Sequence, residues 1–209
     1  MENLSLVGCL NPKDISARIK TLTLTLFEQF AIIRMLVVGG GCKLNEKVRF
    51  MKEALKQAQK AYERLETPVG AVVVQNGKII ARAYNKREKL QDPTAHAEIL
   101  ALKKAAAKIG SWRLIDCDLY VTLEPCAMCA GAIIHSRIGT VFIGAMDPKA
   151  GATGSVIDLF KVDKFNHKVE AEFGILEEEC SRILKQFFRM LREKKLEDRK
   201  RLRAMKDCE

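Results

Sequence analysis

Between Ala71 and Phe173, short β-branched runs alternate with helical runs, and this alternation restricts the fold more than any other feature. Ala71-Val72-Val73-Val74-Gln75 is a strand-forming run, and Asn76-Gly77 behind it is the dipeptide that best favours a two-residue hairpin. Lys78–Tyr84 reads as the returning strand and Asn85–Pro93 as a polar loop. Thr94 is placed to N-cap a helix from Ala95 to Lys108, with Gly110 just beyond it. Asp118–Leu123 is a strand, broken by Glu124-Pro125, and a second helix runs from near Cys126 to Ser136. Thr140–Gly144 is a buried-type strand, Pro148–Gly154 a Gly-rich loop and His167–Phe173 a last strand. Helical spacing covers Asn45–Glu66 ahead of the hairpin, and a long helix starts at about Leu176. A hairpin followed by alternating helix and strand predicts an α/β protein: a three-layer α/β/α arrangement on a mixed sheet of about five strands.

The two ends of the chain differ from this body. Residues 1–44 carry an alternating Thr21-Leu22-Thr23-Leu24-Thr25-Leu26, an apolar Phe30–Val38 and the linker signal Gly39-Gly40-Gly41. Three readings stand for this extension: a strand that docks on the body, a disordered leader, or codons upstream of the true start. Residues 45–209 form the expected domain, ending in a basic helix over 176–206. From Arg182 to Lys206 the net charge is +8, against +10 for the whole chain, so the body is nearly neutral and the tail suggests a polyanionic partner. A hydrophobic fraction of 48% excludes wholesale disorder. The most apolar stretch, Leu22–Val38, is interrupted by Glu28, Gln29 and Arg34, so neither a membrane span nor a signal peptide is expected. Seven cysteines are an odd number in a chain of this size, which argues against a secreted disulfide framework and for the cytoplasm.

The chemistry concentrates in two short segments. His96-Ala97-Glu98 opens one helix, and Pro125-Cys126-Ala127-Met128-Cys129 opens the next. A cysteine near a helix N-terminus is favoured as thiolate by the dipole and the free N–H groups. One imidazole and two thiolates make three zinc ligands, and the fourth position is left to water whose pKa falls toward ~7. Glu98 is close enough to shuttle that water's proton. A purely structural zinc would call for a fourth Cys or His close by. His135 falls six residues after Cys129 on the same helix, and His167 and Cys117 stand in no ligand spacing. A redox Cys-x-x-Cys would leave His96 and Glu98 unexplained. His-x-Glu with Pro-Cys-x-x-Cys is the signature of zinc nucleobase deaminases.

Thr94–Ile99, the block Leu119–Ile138 and Lys185–Met190 resemble the bacterial tRNA-specific adenosine deaminase family, and the similarity runs from about Val48 to Met190. The resemblance implies a homodimer with the cytidine-deaminase-like fold and one Zn2+ per subunit on His96, Cys126 and Cys129. It also implies conversion of the wobble adenosine, position 34 of a tRNA anticodon, to inosine, typically in an arginine tRNA, with Glu98 as proton shuttle. Asn85, Val69 and Ala97 match positions that hold the flipped base, and Asp147 an acid on the substrate-facing loop. Phe188 and Arg189 match the helix that touches the anticodon stem-loop. Plainer roles compete at three of these: Asn85 and Asp147 as turn residues, and Phe187/Phe188 as packing of the helix on the core. Two other functions share these motifs. A deaminase of a free base, nucleoside or nucleotide would use the same zinc site, and a zinc-containing RNA-binding module would need no Glu98.

Overall fold

The structure, a computed structural model, describes residues 44–206; the expected strand at Thr21–Leu26 and linker at Gly39–Gly41 lie outside them. A first helix, α1, covers residues 44–62. It ends short of the expected Glu66: Leu65 turns left-handed at φ 59°, and the Glu66 N–H closes back on the Ala61 carbonyl at 3.0 Å. β1 (Gly70–Gln75) and β2 (Lys78–Tyr84) form the hairpin. Asn76 and Gly77 both have positive φ, 50° and 69°, as a type I′ turn requires. A β-bulge between Val73 and Val74 shifts the register of this pair.

The polar loop after β2 contains a four-residue helix, α2 (Arg87–Leu90), that hydrophobic periodicity does not reveal. α3 spans Ala97–Ile109 and starts two residues later than expected. Thr94 does not cap it: its N–H and hydroxyl both donate to Asp92 Oδ1 in a local turn, and His96 takes the N-cap position. β3 (Cys117–Leu123), α4 (Ala127–Ser136) and β4 (Thr140–Ala145) follow. The last strand, β5, is Glu170–Glu172, shorter than His167–Phe173. His167 leaves the ladder because its ring Nε2 bonds the Ile138 carbonyl at 2.6 Å. α5 (Glu177–Lys206) is thirty residues long. No helix of the described residues is long and apolar enough to cross a membrane.

The five strands form one mixed sheet in the order β2-β1-β3-β4-β5, antiparallel from β2 to β3 and parallel from β3 to β5. Strand alternation sorts the core into two layers. Ala71, Val73, Leu119, Val121, Val141 and Ile143 pack on α3 and α4 through Ala97, Ala101, Ile133 and Ile134. Val72, Val74, Tyr120 and Phe142 pack on the other face against Phe50, Met51 and Ala54 of α1 and Cys180 of α5. Tyr120 and Phe142 stack there at 4.4 Å. At Gly70 a Cβ would collide with the Ala54 carbonyl and the Ala58 nitrogen of α1, so only glycine permits this close strand–helix approach. The three-layer α/β/α expectation with a long C-terminal helix matches this architecture.

Candidate active site

Register places the ends of four strands in one row. Gly70 pairs with Tyr84, Ala71 with Val121, Val121 with Ile143 and Leu123 with Ala145. The segments that leave this edge carry Val69, Asn85, Glu124-Pro125-Cys126 and Asp147. The carboxyl ends of parallel strands are where open α/β sheets bind ligands. Residues far apart in sequence therefore meet because β2, β3 and β4 end and β1 begins at the same edge.

His96 and Cys126 occupy the N-cap positions of α3 and α4, both with extended backbone, and Cys129 lies in the first turn of α4. His96 Nδ1 is 3.7 Å from Cys126 Sγ and 3.5 Å from Cys129 Sγ, and all three ligand atoms lie within 4.8 Å of one another. Tetrahedral ligands at ordinary zinc distances stand roughly 3.3–3.8 Å apart. The three side chains can therefore hold a metal ion without rearrangement. Their protons agree. A hydrogen bond from Cys129 outweighs burial and, with His96, holds the Cys126 thiol down to about 3. The same bond, together with burial, raises Cys129. The bond to Cys126 raises His96. A cation centred among these atoms would replace the proton that Cys129 lends to Cys126.

Glu98 is buried in the first turn of α3. Burial raises its carboxyl above the ordinary carboxylate range, against the opposing pull of its own backbone N–H, of His96 and of Cys129. Asn85 is also buried. Its N–H donates to the Val69 carbonyl at 3.2 Å, and its Oδ1 accepts the Ala97 N–H at 2.8 Å. The bond to Ala97 satisfies a free donor at the start of α3. Val69, Asn85 and Ala97 are thus one hydrogen-bonded chain that sets the position of the His96–Glu98 turn, and the Asn85 amide NH2 remains to recognise a ligand.

A cleft of about 770 Å³ opens between the strand ends and α5, with Thr67, Arg87, Leu123, Asp147, Phe188 and Arg192 on its walls. The paired phenylalanines divide their tasks. Phe187 is buried and meets Tyr62 of α1 edge-on at 5.6 Å, whereas Phe188 stays exposed in the cleft. Asp147 takes the turn role as well: its Oδ1 accepts the N–H groups of Lys149 and Ala150. Arg189 is not brought to the cleft. It lines a neighbouring groove along α5 and pairs with Glu193 at 4.0 Å.

Two buried carboxylates escaped the sequence reading. Glu66 accepts the N–H groups of Glu88 and Lys89 at 3.1 and 2.8 Å, which anchors α2 and so carries Arg87 to the cleft. Glu124 accepts five hydrogen bonds, from the N–H groups of Asp147, Thr153 and Ser155 and from the Thr153 and Ser155 hydroxyls. It draws the 147–155 loop against the start of α4, where Ala152 N–H bonds the Pro125 carbonyl at 2.9 Å and Cys126 pairs with Gly151. A side chain on Gly151 would occupy the Glu124 carboxylate. In sequence both acids look like ordinary polar residues at the end of an element, because their partners lie more than twenty positions away.

A family model described as MafB19-like deaminase matches residues 45–192. The tRNA-specific adenosine deaminase of Bacillus subtilis is 53% identical over 153 residues, 73% of this chain and 95% of that protein. The chain belongs to the tRNA-specific adenosine deaminase family. The Streptococcus pyogenes member of that family (serotype M18) is 43% identical over 152 residues and matched over 96% of its length. A solved structure from studies of A-to-I editing by tRNA:A34 deaminases at the wobble position is 46% identical, with a TM-score of 0.64. The match covers 65% of this chain and 99% of that one. Tail residues 193–206, which carry much of the family member's positive charge here, lie beyond the family model.

Proposed function

We propose that this chain hydrolyses the wobble adenosine, position 34 of a tRNA anticodon, to inosine, with zinc on His96, Cys126 and Cys129. One observation carries the reading. Three metal-ligand atoms converge within 4.8 Å beside the buried carboxyl of Glu98, in a chain that is 53% identical over 153 residues to a tRNA-specific adenosine deaminase. Zinc held there supplies a Lewis acid that makes water a nucleophile near neutral pH.

Glu98 takes a proton from the attacking water and passes it to the departing amine, so the C–N bond breaks and ammonia leaves as the ring gains its oxygen. Its raised pKa favours a carboxyl that can hold that proton between the two transfers. Asn85, Val69 and Ala97 hold the extruded base. Phe188 and Asp147 flank the neighbouring nucleotides in the cleft, and Arg189 reaches the stem-loop from its groove. An anticodon loop suits such a pocket because its bases are already partly unpaired and cost little to extrude. The reading extends to an arginine tRNA as substrate, to a homodimer and to the cytoplasm. The apolar side chains of Met128, Val156 and Ile157, exposed near the start of α4, support a second copy. The thiols of Cys117, Cys126, Cys129 and Cys180, all free, support a reducing compartment.

The test is a substrate panel of tRNA, free adenosine, cytidine and guanine, given to protein whose zinc content is measured in the same preparation. Inosine at position 34 of tRNA, with zinc near one per chain, is the expected result. Ammonia from a free base or nucleoside with no inosine in tRNA would overturn the reading.

A further inference from the structure

Lys185, Phe188, Arg192, Lys195, Arg199 and Arg203 succeed one another along α5 at steps of three or four, so they share one face of the helix. All six are exposed. Lys185, Phe188 and Arg192 line the cleft between the strand ends and α5, so the stripe starts in that cleft and continues past it. From Arg192 to Arg203 it extends by roughly 16 Å at the helical rise per residue. The acids of this segment, Glu193, Glu197 and Asp198, lie about 100° or more around the helix from the middle of the stripe. Among the described residues no acid pairs with Arg192, Lys195, Arg199 or Arg203; the ion pair of this half of α5 is Arg189–Glu193. The acids are therefore kept off this face, which carries four unneutralised cations, whereas Lys194, Lys200 and Arg201 share the other faces with those acids.

The stripe also changes character along its length. Phe188, at the cleft end, offers a ring on which a base can stack, and residues 189–203 contain no aromatic side chain. Proteins that bind unpaired nucleotides rely on such rings, whereas double-stranded RNA is met through its phosphates and sugar hydroxyls. We propose that the C-terminal half of α5 is an arm that grips the phosphate backbone of the double-stranded stem next to the reacting base. This rests on the RNA-deaminase reading above. The unpaired nucleotides occupy the cleft as far as Phe188, and the stem lies along Lys195, Arg199 and Arg203.

The experiment compares two triple variants that remove the same charge. Lys195→Ala/Arg199→Ala/Arg203→Ala empties the stripe, while Lys194→Ala/Lys200→Ala/Arg201→Ala empties the faces beside it. Alanine favours the helix at every position, so both variants keep α5. Each is measured against wild type for affinity to an anticodon stem-loop at several salt concentrations. Inosine formation is measured in that stem-loop and in the same loop sequence as an unpaired oligonucleotide. The stripe triple is expected to weaken stem-loop binding roughly tenfold or more at low salt and to flatten the salt slope by roughly 2–3. The off-stripe triple should stay within about twofold of wild type, and the unpaired oligonucleotide should be deaminated equally by all three proteins. Equal behaviour of the two triples, or an equal loss on the unpaired oligonucleotide, overturns the arm while leaving the deaminase intact. Stripe-specific binding by a wild-type protein that forms no inosine in any RNA overturns the functional reading and leaves the arm standing.

Discussion

Glu98 and Glu124 are equally hidden from solvent, each 3% exposed, yet their surroundings move their protons in opposite directions. Burial dominates at Glu98, where few donors face the carboxyl, and it raises the pKa. Burial also opposes the charged form at Glu124. There, hydrogen bonds from Ser155, Asp147 and Thr153 outweigh it and hold the carboxyl below its ordinary value. One carboxyl holds its proton more readily than an ordinary carboxylate, as the proposed shuttle requires; the other is held as a negative charge and organises a loop. Burial alone thus does not mark a catalytic carboxylate. The depth of the carboxyl beneath the surface and the donors aimed at it decide together.

The sharpest way to break the comparison is to remove the ability to ionise from each acid in turn. Glu98→Gln should lower the rate of inosine formation by roughly 10²–10⁴, the usual contribution of a general acid–base group, with little change in thermal stability. Glu124→Gln should do the reverse. It strands several donors now bonded to a carboxylate, so stability should fall by about 1–3 kcal/mol while activity per folded molecule falls far less. Circular dichroism melts beside single-turnover assays separate the two outcomes. If Glu124→Gln matched Glu98→Gln in rate at unchanged stability, Glu124 would belong to the chemistry and the contrast would collapse.

Proton linkage sharpens the same contrast. Because the folded pKa of Glu124 lies below its ordinary value of 4.5, the unfolded chain takes up this proton first as pH falls. Glu124 therefore contributes stability that is complete above about 4.5 and is lost as pH drops through the lower folded value. Denaturant titrations should show the gap between wild type and Glu124→Gln narrowing on acidification across that window. A gap that stayed constant would mean that the charge of Glu124 does not matter and only its shape does.

The contrast also explains what the sequence could reveal. The convergence of His96, Cys126 and Cys129 was legible because they stand at short spacing in two segments that each open a helix. The hairpin was legible because Asn76-Gly77 encodes its own backbone conformation. Glu124 was not, since nothing within its own segment shows that Thr153 and Ser155 will return to it. The same holds for Glu66 and α2, whose four residues are too few for periodicity to show. Thr94 is not the cap because α3 begins only at Ala97, behind His96, and Thr94 instead donates its N–H and hydroxyl to Asp92 in a local turn. Phe187 and Phe188 could not be separated until Tyr62 of α1 was seen to face only the first.

The smallest test concerns one donor of the Glu124 set. Ser155 supplies both an N–H, at 3.0 Å to Oε1, and a hydroxyl, which meets Oε2. Ser155→Ala removes the hydroxyl and keeps the N–H. Because Ser155 is exposed, water can take the vacated place at the carboxylate, so the cost should be about 0.5–1 kcal/mol, below that of Glu124→Gln. The folded pKa of Glu124 should rise toward its ordinary value, and the acid-dependent part of its stabilisation should shrink with it. Two-dimensional carboxyl NMR would follow that pKa directly. An unchanged titration in Ser155→Ala would assign the lowering to the three backbone N–H groups and the Thr153 hydroxyl, and the Ser155 hydroxyl would then have no part in fixing the charge at Glu124.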